Sequence, residues 1–587
     1  MSAETEAGAR SRVVARAGAE LFVSERGDPA SPTIVLVHGF PDTHLMWDEL
    51  VGQLAERHHT AAYDVRGMGR SIAPDGPGAY LLPELALDLR AVIDAVSPDR
   101  AVHLVGHDWG AFQCWELLTA ADAAERIASF TAIAGPKIDT AAAWVLNRFR
   151  PSLAGIRDLL GQARRSWYVG AIQVPGLPER VLGAAMDRAW PRVMRRLEGI
   201  EPRPGHPAPT LARDARAGLA LYRANLGPKA RRAKPSRVET PVQLIVPTRD
   251  RYISTAMYAD AQDWAPRIWR RDLRAGHWVQ RARPAAVARA ISELVEHLEG
   301  SPEPAPLRRA RFRGPRRDLE GQLAVVTGAG SGIGRATALA LASAGAEVVA
   351  ADIDLSSAQA TAEQAELIHA VQVDVGDARA MEAFAAMIDS EHGVPHIVVN
   401  NAGIGIGGPF LETTLADWER IVDINLWGVI HGCRLFARQM VDGGVEGQIL
   451  NTASMAAYSP SRLLPAYSTT KAAVLMLSEC LRAELASAGI GVTAICPGVI
   501  DTNITRTTHI VGVSEDEERR RQELAARAYG RRGYTADRVA AAILRAVRRN
   551  PAVLPVAPEA HVARAISRLS PAVLRALARL NMDQVLR

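Results

Sequence analysis

One stretch just past the middle of the chain, Val325-Val326-Thr327-Gly328-Ala329-Gly330-Ser331-Gly332-Ile333-Gly334, limits the fold more than any other. The apolar run Leu323 to Val326 breaks into glycines, and an alanine-rich helical pattern, Arg335 to Ala344, follows at once. That order predicts a strand, a tight turn and a helix. Glycines let backbone N–H groups approach a pyrophosphate closely, and the start of a helix adds a favourable dipole. The spacing is G-x-x-x-G-x-G, carried by Gly328, Gly332 and Gly334, with Ser331 and Ile333 between them.

Further features lie at intervals downstream. Asp352 closes a second strand, Glu347 to Ala351, where an acid accepts from ribose hydroxyls. Asn400-Asn401-Ala402-Gly403 follows the strand Ile397–Val399, and further strands are expected over Ala370–Val373, Gln448–Asn451 and Gly491–Cys496. Tyr467 and Lys471 stand one helical turn apart, with Ser454 thirteen positions before the tyrosine. A phenol of pKa near ~10 is a poor base at neutral pH, and a lysine on the same helix face stabilises its phenolate. Ser454, after the strand Gln448–Asn451, is positioned to hydrogen-bond a substrate oxygen.

Over roughly Leu319 to Val556 these motifs resemble the short-chain dehydrogenase/reductase family. The resemblance implies a Rossmann-type, doubly wound parallel sheet and hydride exchange between a nicotinamide dinucleotide and an alcohol or ketone. It also implies that Asn425 holds a water for proton relay, that Asp374 and Val375 meet the adenine, and that Pro497, Gly498 and Thr502 lie on the nicotinamide side. Asn401 and the turn residues complete the expected cofactor set. The carboxylate of Asp352 repels a 2′-phosphate, while Ser331 before Gly332 and Ile353 after Asp352 supply no cation. NAD is therefore expected over NADP.

At 587 residues the chain exceeds a single core, and an upstream domain must account for more than half of it. Short β-rich runs, Glu20–Ser24, Thr33–Val37, Thr60–Tyr63, Ala101–Val105 and Val242–Val246, alternate with helical patterns such as Leu81–Val96 and Pro284–Leu298. Such alternation predicts a parallel sheet covered on both faces. A helical interruption over about 137–235 reads as a lid, and the Pro-, Gly- and Arg-rich segment 299–317 as an aperiodic linker. The expected organisation is α/β throughout. A first domain spans 1–298, the linker 299–317, a second domain 318–556 and a helical tail 557–587.

Gly106-His107-Asp108-Trp109-Gly110 has the form of a nucleophile elbow, with aspartate where serine is commoner. An aspartate attacks an sp³ carbon and forms an alkyl ester, which water must then hydrolyse at its carbonyl. His277 as base, Asp250 as its orienting acid, and the backbone N–H groups of Phe40 and Trp109 as oxyanion donors complete that chemistry in the chain order nucleophile, acid, histidine. With His38-Gly39-Phe40-Pro41, the segment Arg12 to Glu299 resembles the epoxide hydrolases of the α/β-hydrolase superfamily. The resemblance implies two lid tyrosines that hold and protonate the epoxide oxygen, matched by Tyr168 and Tyr222. Haloalkane dehalogenases share the aspartate, acid and histidine but need halide donors. The tyrosines favour the epoxide, and the dehalogenase stays as the alternative. A second alternative makes one half a binding module without turnover.

A 48% hydrophobic, 23% charged composition fits a globular chain, and no apolar run reaches the ~18–20 residues that span a bilayer. Met1 to Arg16 lacks the apolar core of a secretory signal, and Cys114, Cys433, Cys480 and Cys496 show no metal or disulfide spacing. A cytoplasmic setting without a metal is expected. The net charge of +5 is spread without aromatic interleaving, so no nucleic-acid partner is expected. The tail carries Ile566, Leu569, Val573, Leu574, Leu577 and Leu580 at helical spacing. It reads as a docked helix or a dimer contact, and less readily as a membrane-surface helix. The apolar lid points to a hydrophobic, lipid-like small-molecule substrate, and the second family resemblance implies a homo-oligomer.

Overall fold

The computed structural model describes residues 9–578 except 75, 141–143, 146, 147, 149–151, 175, 177, 180–185, 227–235 and 315. The end of the tail, with Leu580, and parts of the lid segment lie outside the described residues. The chain divides into two compact units, Met1–Pro315 and Arg316–Arg587.

The first unit is built on an eight-stranded sheet. Its strands are β1 (Arg10–Arg16), β2 (Ala19–Arg26), β3 (Thr33–Val37), β4 (His59–Tyr63), β5 (Val102–His107), β6 (Ile127–Ile133), β7 (Val242–Pro247) and β8 (Ile268–Leu273), in the order β1-β2-β4-β3-β5-β6-β7-β8. The β1–β2 and β2–β4 pairs are antiparallel, and the pairs from β4 through β3 to β8 are parallel. Every residue of β3, β4, β5 and β7 is buried, the pattern of a sheet with helices on both faces. Two of these strands went unread in the sequence. β1 lies in the polar segment Met1 to Arg16 and is mostly exposed at the sheet edge. β6 is a run of small and apolar residues beside β5, whose burial comes entirely from its neighbours.

Between β6 and β7 the chain makes a helical excursion that includes Leu153–Arg165, Trp167–Ile172, Met186–Val193 and Leu211–Asn225. The segment expected to be an aperiodic linker instead contains the helix Ala305–Ala310, whose Leu307 and Ala310 pack with Trp269 and Leu294. The Phe312 N–H donates to the Ile268 carbonyl at 2.8 Å, and the Trp269 indole donates to Glu303 at 3.3 Å. Proline and arginine hid a short apolar face that becomes legible only against β8.

The second unit holds a seven-stranded parallel sheet. Its strands are β9 (Leu323–Thr327), β10 (Glu347–Asp352), β11 (Ile368–Gln372), β12 (Ile397–Asn400), β14 (Gln448–Thr452), β15 (Gly491–Pro497) and β17 (Val553–Val556), in the order β11-β10-β9-β12-β14-β15-β17. A small parallel pair, β13 (Ile406–Gly407) and β16 (His509–Ile510), stands apart. The chain winds outward from β9 to β11 and then returns to place β12 on the other side of β9. That reversal opens a crevice at the carboxyl ends of β9 and β12.

The charged stretch after β15 carries the eighteen-residue helix Glu515–Arg532. The Ser514 side chain caps it by accepting from the Glu517 N–H, and Arg521–Glu517 and Arg527–Glu523 pairs line its face. The tail forms two helices, Pro558–Leu569 and Pro571–Leu577. Leu574 is buried, while Leu569, Val573 and Leu577 stay exposed. Among the described residues no helix is long and apolar enough to cross a membrane.

Candidate active sites

In the first unit β5 ends at Asp108, which sits at φ +50°, ψ −121°, a conformation that a non-glycine residue adopts at an energetic cost. The turn is possible because its neighbours are glycines. A Cβ at Gly110 would lie 2.1 Å from the Val37 carbonyl oxygen, and one at Gly39 would lie 2.6 Å from Asp108 Cβ. Asp108 is lifted above the sheet and its two oxygens meet different partners. Oδ2 accepts from the Phe40 N–H at 3.0 Å, whereas Oδ1 faces His277 Nε2 at 3.7 Å, beyond a direct hydrogen bond. The N–H of Trp109 starts the following helix, and its ring is buried.

His277 is held from the other side. Its Nδ1 lies 2.7 Å from Asp250 Oδ2, and the other Asp250 oxygen accepts from the N–H groups of Tyr252 and Ile253 at 2.7 and 3.0 Å. All three members are buried, with relative exposures of 8% for Asp108, 4% for Asp250 and 3% for His277. Burial pushes the imidazole pKa down, but the Asp250 charge, with Asp108 behind it, outweighs that cost and raises it well above the ordinary value. The imidazolium form is thus favoured by the two carboxylates that flank the ring.

The helical excursion supplies the aromatic cover. Tyr222 is buried with its ring edge-on to Phe40 at 5.4 Å, to Trp109 at 4.9 Å and to Tyr168 at 6.0 Å. Burial drives both phenols upward, to well above the ordinary tyrosine value. Both phenols keep their protons at neutral pH.

Sequence reasoning missed the residues that hold Tyr222 there. Asp214 accepts from the Gly69 N–H at 3.1 Å, and Asn225 accepts from the Leu82 N–H at 2.9 Å and donates to the Tyr80 carbonyl at 2.8 Å. Gly218 lets the helix lie on the core, since a Cβ there would meet Phe40 Cδ2 at 2.5 Å. Tyr252, whose ring is 4.9 Å from His277, was also missed. So was Asp42, which joins Trp278 (2.7 Å) to His206 of the excursion (3.2 Å). The proximity of Asp42 to His38-Gly39-Phe40-Pro41 was the one signal for any of these.

In the second unit the crevice at β9 and β12 is a cavity of about 850 Å³. Gly328, Ser331, Gly332, Ile333, Asp352, Asp374, Val375 and Asn401 line one part of it. Ser454, Tyr467, Lys471, Pro497, Gly498 and Thr502 line another. Gly328 (φ +64°) and Gly332 (φ +52°) adopt left-handed conformations, and a Cβ at Gly330 would lie 2.2 Å from Ser357 Oγ. Asp352 braces the turn by accepting from the Gly330 N–H at 2.7 Å. Asn401 Nδ2 donates to the Thr327 carbonyl at 3.1 Å, tying β12 to the turn. Gly334 does not line the cavity. A Cβ there would lie 2.0 Å from the Gly328 carbonyl, so this glycine closes the turn.

Lys471 is buried and donates to the Thr452 carbonyl at 2.8 Å, with Nζ 5.7 Å from the Tyr467 ring centre. Burial lowers its pKa to about 8. Burial also pushes the Tyr467 phenol up to about 12, against the pull of the Ser454 hydroxyl. Asn425 lies outside the cavity wall. Its Oδ1 accepts from the Ile404 N–H at 2.8 Å and its Nδ2 donates back to the Ile404 carbonyl at 3.0 Å, within a π-turn at 423–427. Missed lining residues come from the helix Glu515–Arg532, namely Arg521, Gln522, Ala525 and Tyr529. The run Ser514-Glu515-Asp516-Glu517 was the available capping signal.

Comparison with known proteins places both units. A model of the short chain dehydrogenase family matches residues 322–510, and one of the alpha/beta hydrolase family matches residues 34–290. The chain is 42% identical over 578 residues to the probable oxidoreductase EphD of Mycobacterium tuberculosis, covering 96% of this chain and 97% of that protein. Epoxide hydrolase A of Mycobacterium tuberculosis is 35% identical over 202 residues, 34% of this chain and 56% of that protein. Sorbitol dehydrogenase of Cereibacter sphaeroides is 36% identical over 235 residues, 38% of this chain and 90% of that protein. The chain is an enzyme that joins an α/β-hydrolase domain to a short-chain dehydrogenase domain, and it belongs to the family of such fusions that includes the mycobacterial probable oxidoreductase EphD.

Proposed function

We propose that the chain is bifunctional. The first domain opens epoxides to vicinal diols through an aspartyl alkyl ester, and the second interconverts an alcohol and a ketone with NAD. The observation that carries the hydrolase reading is the division of labour between the two oxygens of Asp108, one on the Phe40 N–H and the other toward His277. Oδ1 attacks an epoxide carbon, the carbon–oxygen bond of the ring breaks, and the released oxygen takes a proton from Tyr222 or Tyr168. Oδ2 remains as the ester carbonyl, already addressed by one oxyanion donor. Esterification also removes the negative charge of Asp108, and with it one of the causes that keep His277 protonated. The proton that His277 then gives up restores the phenol. Neutral His277 takes a proton from water as the hydroxide adds to the Asp108 carbonyl carbon. Collapse breaks the ester carbon–oxygen bond, and the leaving oxygen takes the proton from His277 to complete the diol. The acid proton left on Asp108 passes to His277, which restores the carboxylate and the starting protonation states.

Asp108→Asn should abolish epoxide opening while NAD-dependent turnover continues. In His277→Gln the ester should accumulate and add the mass of the substrate to the peptide that contains Asp108. Epoxide hydrolysis by Asp108→Asn, with no adduct in His277→Gln, would overturn the nucleophile. Halide release from haloalkanes by the wild type, with normal epoxide turnover by Tyr222→Phe, would move the reading to a dehalogenase.

The second cavity suits a dinucleotide, because Gly328 and Gly332 line it with bare backbone in left-handed conformations, and a Cβ at Gly328 would lie 2.8 Å from Ala402 Cα. Gly328, Gly332, Asp352, Asn401, Lys471 and Thr502 would hold it, and its nicotinamide supplies or accepts the hydride. Tyr467 moves the proton at the substrate oxygen, Ser454 holds that oxygen, and Lys471 supplies the neighbouring cation. Asp352 supports NAD over NADP, because a carboxylate repels a 2′-phosphate. Fluorescence titration should give tighter binding of NADH than of NADPH. Asp352→Ala combined with Ile353→Arg should reverse that order. A wild type that prefers NADPH would reject the cofactor assignment, and binding of neither would leave this half a scaffold. A hydrophobic, lipid-like substrate, a homo-oligomer and a cytoplasmic setting complete the proposal.

A further inference from the structure

At the opposite end of the second sheet, three metal-ligating side chains converge on one point. Glu347 opens β10, His369 lies near the start of the edge strand β11, and His392 ends the helical segment that begins at Ala378. The register pairs Val349 with His369, so the glutamate and the first histidine belong to adjacent strands. Both imidazoles address the same oxygen. Glu347 Oε1 lies 2.7 Å from His392 Nδ1 and 3.6 Å from His369 Nε2. The two rings are 5.2 Å apart, and the three ligand atoms lie within 4.8 Å of one another. Glu347 is 8% exposed, His392 is partly buried and His369 faces solvent at the rim.

We propose that Glu347, His369 and His392 form a Zn²⁺ site that clips β10, the edge strand β11 and the end of the helix 378–392 together. Two imidazole nitrogens and one carboxylate oxygen, with a fourth position open to water, match the ligand preferences of this ion. Ligands bound to one tetrahedral Zn²⁺ at 2.0–2.1 Å stand about 3.3 Å apart, which the two measured separations from Glu347 bracket. Closing the histidine pair requires a movement of up to about 1.5 Å, which the exposed side chain of His369 can make by changing rotamer. Each of the three side chains makes a further polar or ring contact, so the ion enters in competition with existing partners. The site lies about 17 Å along β10 from Asp352, five residues at the rise of a parallel strand, and so is separate from the dinucleotide crevice.

The test uses untagged full-length protein stripped with a chelator and titrated with Zn²⁺ against a chromophoric competitor. Wild type should bind one more equivalent than Glu347→Gln, His369→Ala or His392→Ala. Its melting temperature should rise with Zn²⁺ and fall back with EDTA, a shift absent from all three variants. NAD-linked turnover of the variants should match wild type, since none of the three residues touches that cavity. Equal metal counts in wild type and variants would overturn the site, as would an equal Zn²⁺-dependent rise in melting temperature. If His392→Ala does not fold, the exposed His369→Ala reads the same two quantities.

Discussion

His277 shows how much of the first site depends on single contacts. Its imidazole is buried between two carboxylates, and Asp250 outweighs the cost of that burial. The folded pKa therefore lies above the unfolded value of about 6.5. The sign follows from linkage. The bound proton stabilises the fold fully below pH 6.5, and that contribution is lost as pH rises through the folded value. Asp250→Asn removes the principal attraction, so the imidazole should titrate at a lower pH by NMR and the alkaline decline in melting temperature should be shallower than in wild type. Hydrolysis of the Asp108 ester should slow sharply in the same variant, because an amide no longer fixes which ring nitrogen carries the proton. An unchanged imidazole titration would show that Asp250 does not govern His277. These three residues were legible in the sequence because each follows a strand, and strand ends on one edge of a parallel sheet must meet. Tyr252, Asp42 and Asp214 were not legible, since nothing local distinguishes them from loop or helix residues.

At the scale of elements, the helix Leu211–Asn225 governs where Tyr222 stands. Asp214, fully buried, accepts from the Gly69 N–H and from the Thr210 hydroxyl. Asp214→Ala leaves the Gly69 N–H without its acceptor and should destabilise the first domain by about 1–3 kcal/mol. Hydrogen exchange should speed up over 211–225 more than over β5, and epoxide opening should fall by more than substrate binding. A uniform loss of protection would mean that the aspartate supports the whole domain instead of this helix. The helix Glu515–Arg532 carries a different lesson. Its sequence is dense in charge, and a Ser cap, acids in the first turn and Glu–Arg pairs are what a solvent-facing helix uses. Its half-buried side contributes Tyr529 to the cavity wall, a contact that no periodicity announced.

For the whole molecule, the boundary between the units falls at Pro315–Arg316 and not at the end of the helix Pro284–Leu298. Residues 299–314 cover Trp269 and Leu294 through Leu307 and Ala310, and Phe312 is buried in the separate cluster that holds Ile268 and Trp264. Burial of a leucine or phenylalanine contributes about 1.5–3 kcal/mol each. A fragment ending at residue 298 should therefore melt several degrees below one ending at 315 and should aggregate through its exposed Trp269. The two fragments melting alike would return this segment to the status of a linker. Fragments 1–315 and 316–587 should each retain one of the two activities, which also separates a bifunctional enzyme from a single enzyme with an inert partner.

The sequence by itself determined what is chemically local. The glycine turn, the strained Asp108 elbow, the Tyr467–Lys471 helical pair and the alternation of strands and helices each follow from backbone sterics or from side-chain spacing within one element. Tertiary structure alone decided the burial of β6, the docking of residues 299–314, the seat of Tyr222 under Asp214, Gly218 and Asn225, and the convergence of Glu347, His369 and His392. The physical reason is common to all four. Each depends on surfaces or ligand atoms supplied by residues distant in the chain, and their free energy exists only once folding has brought both partners together.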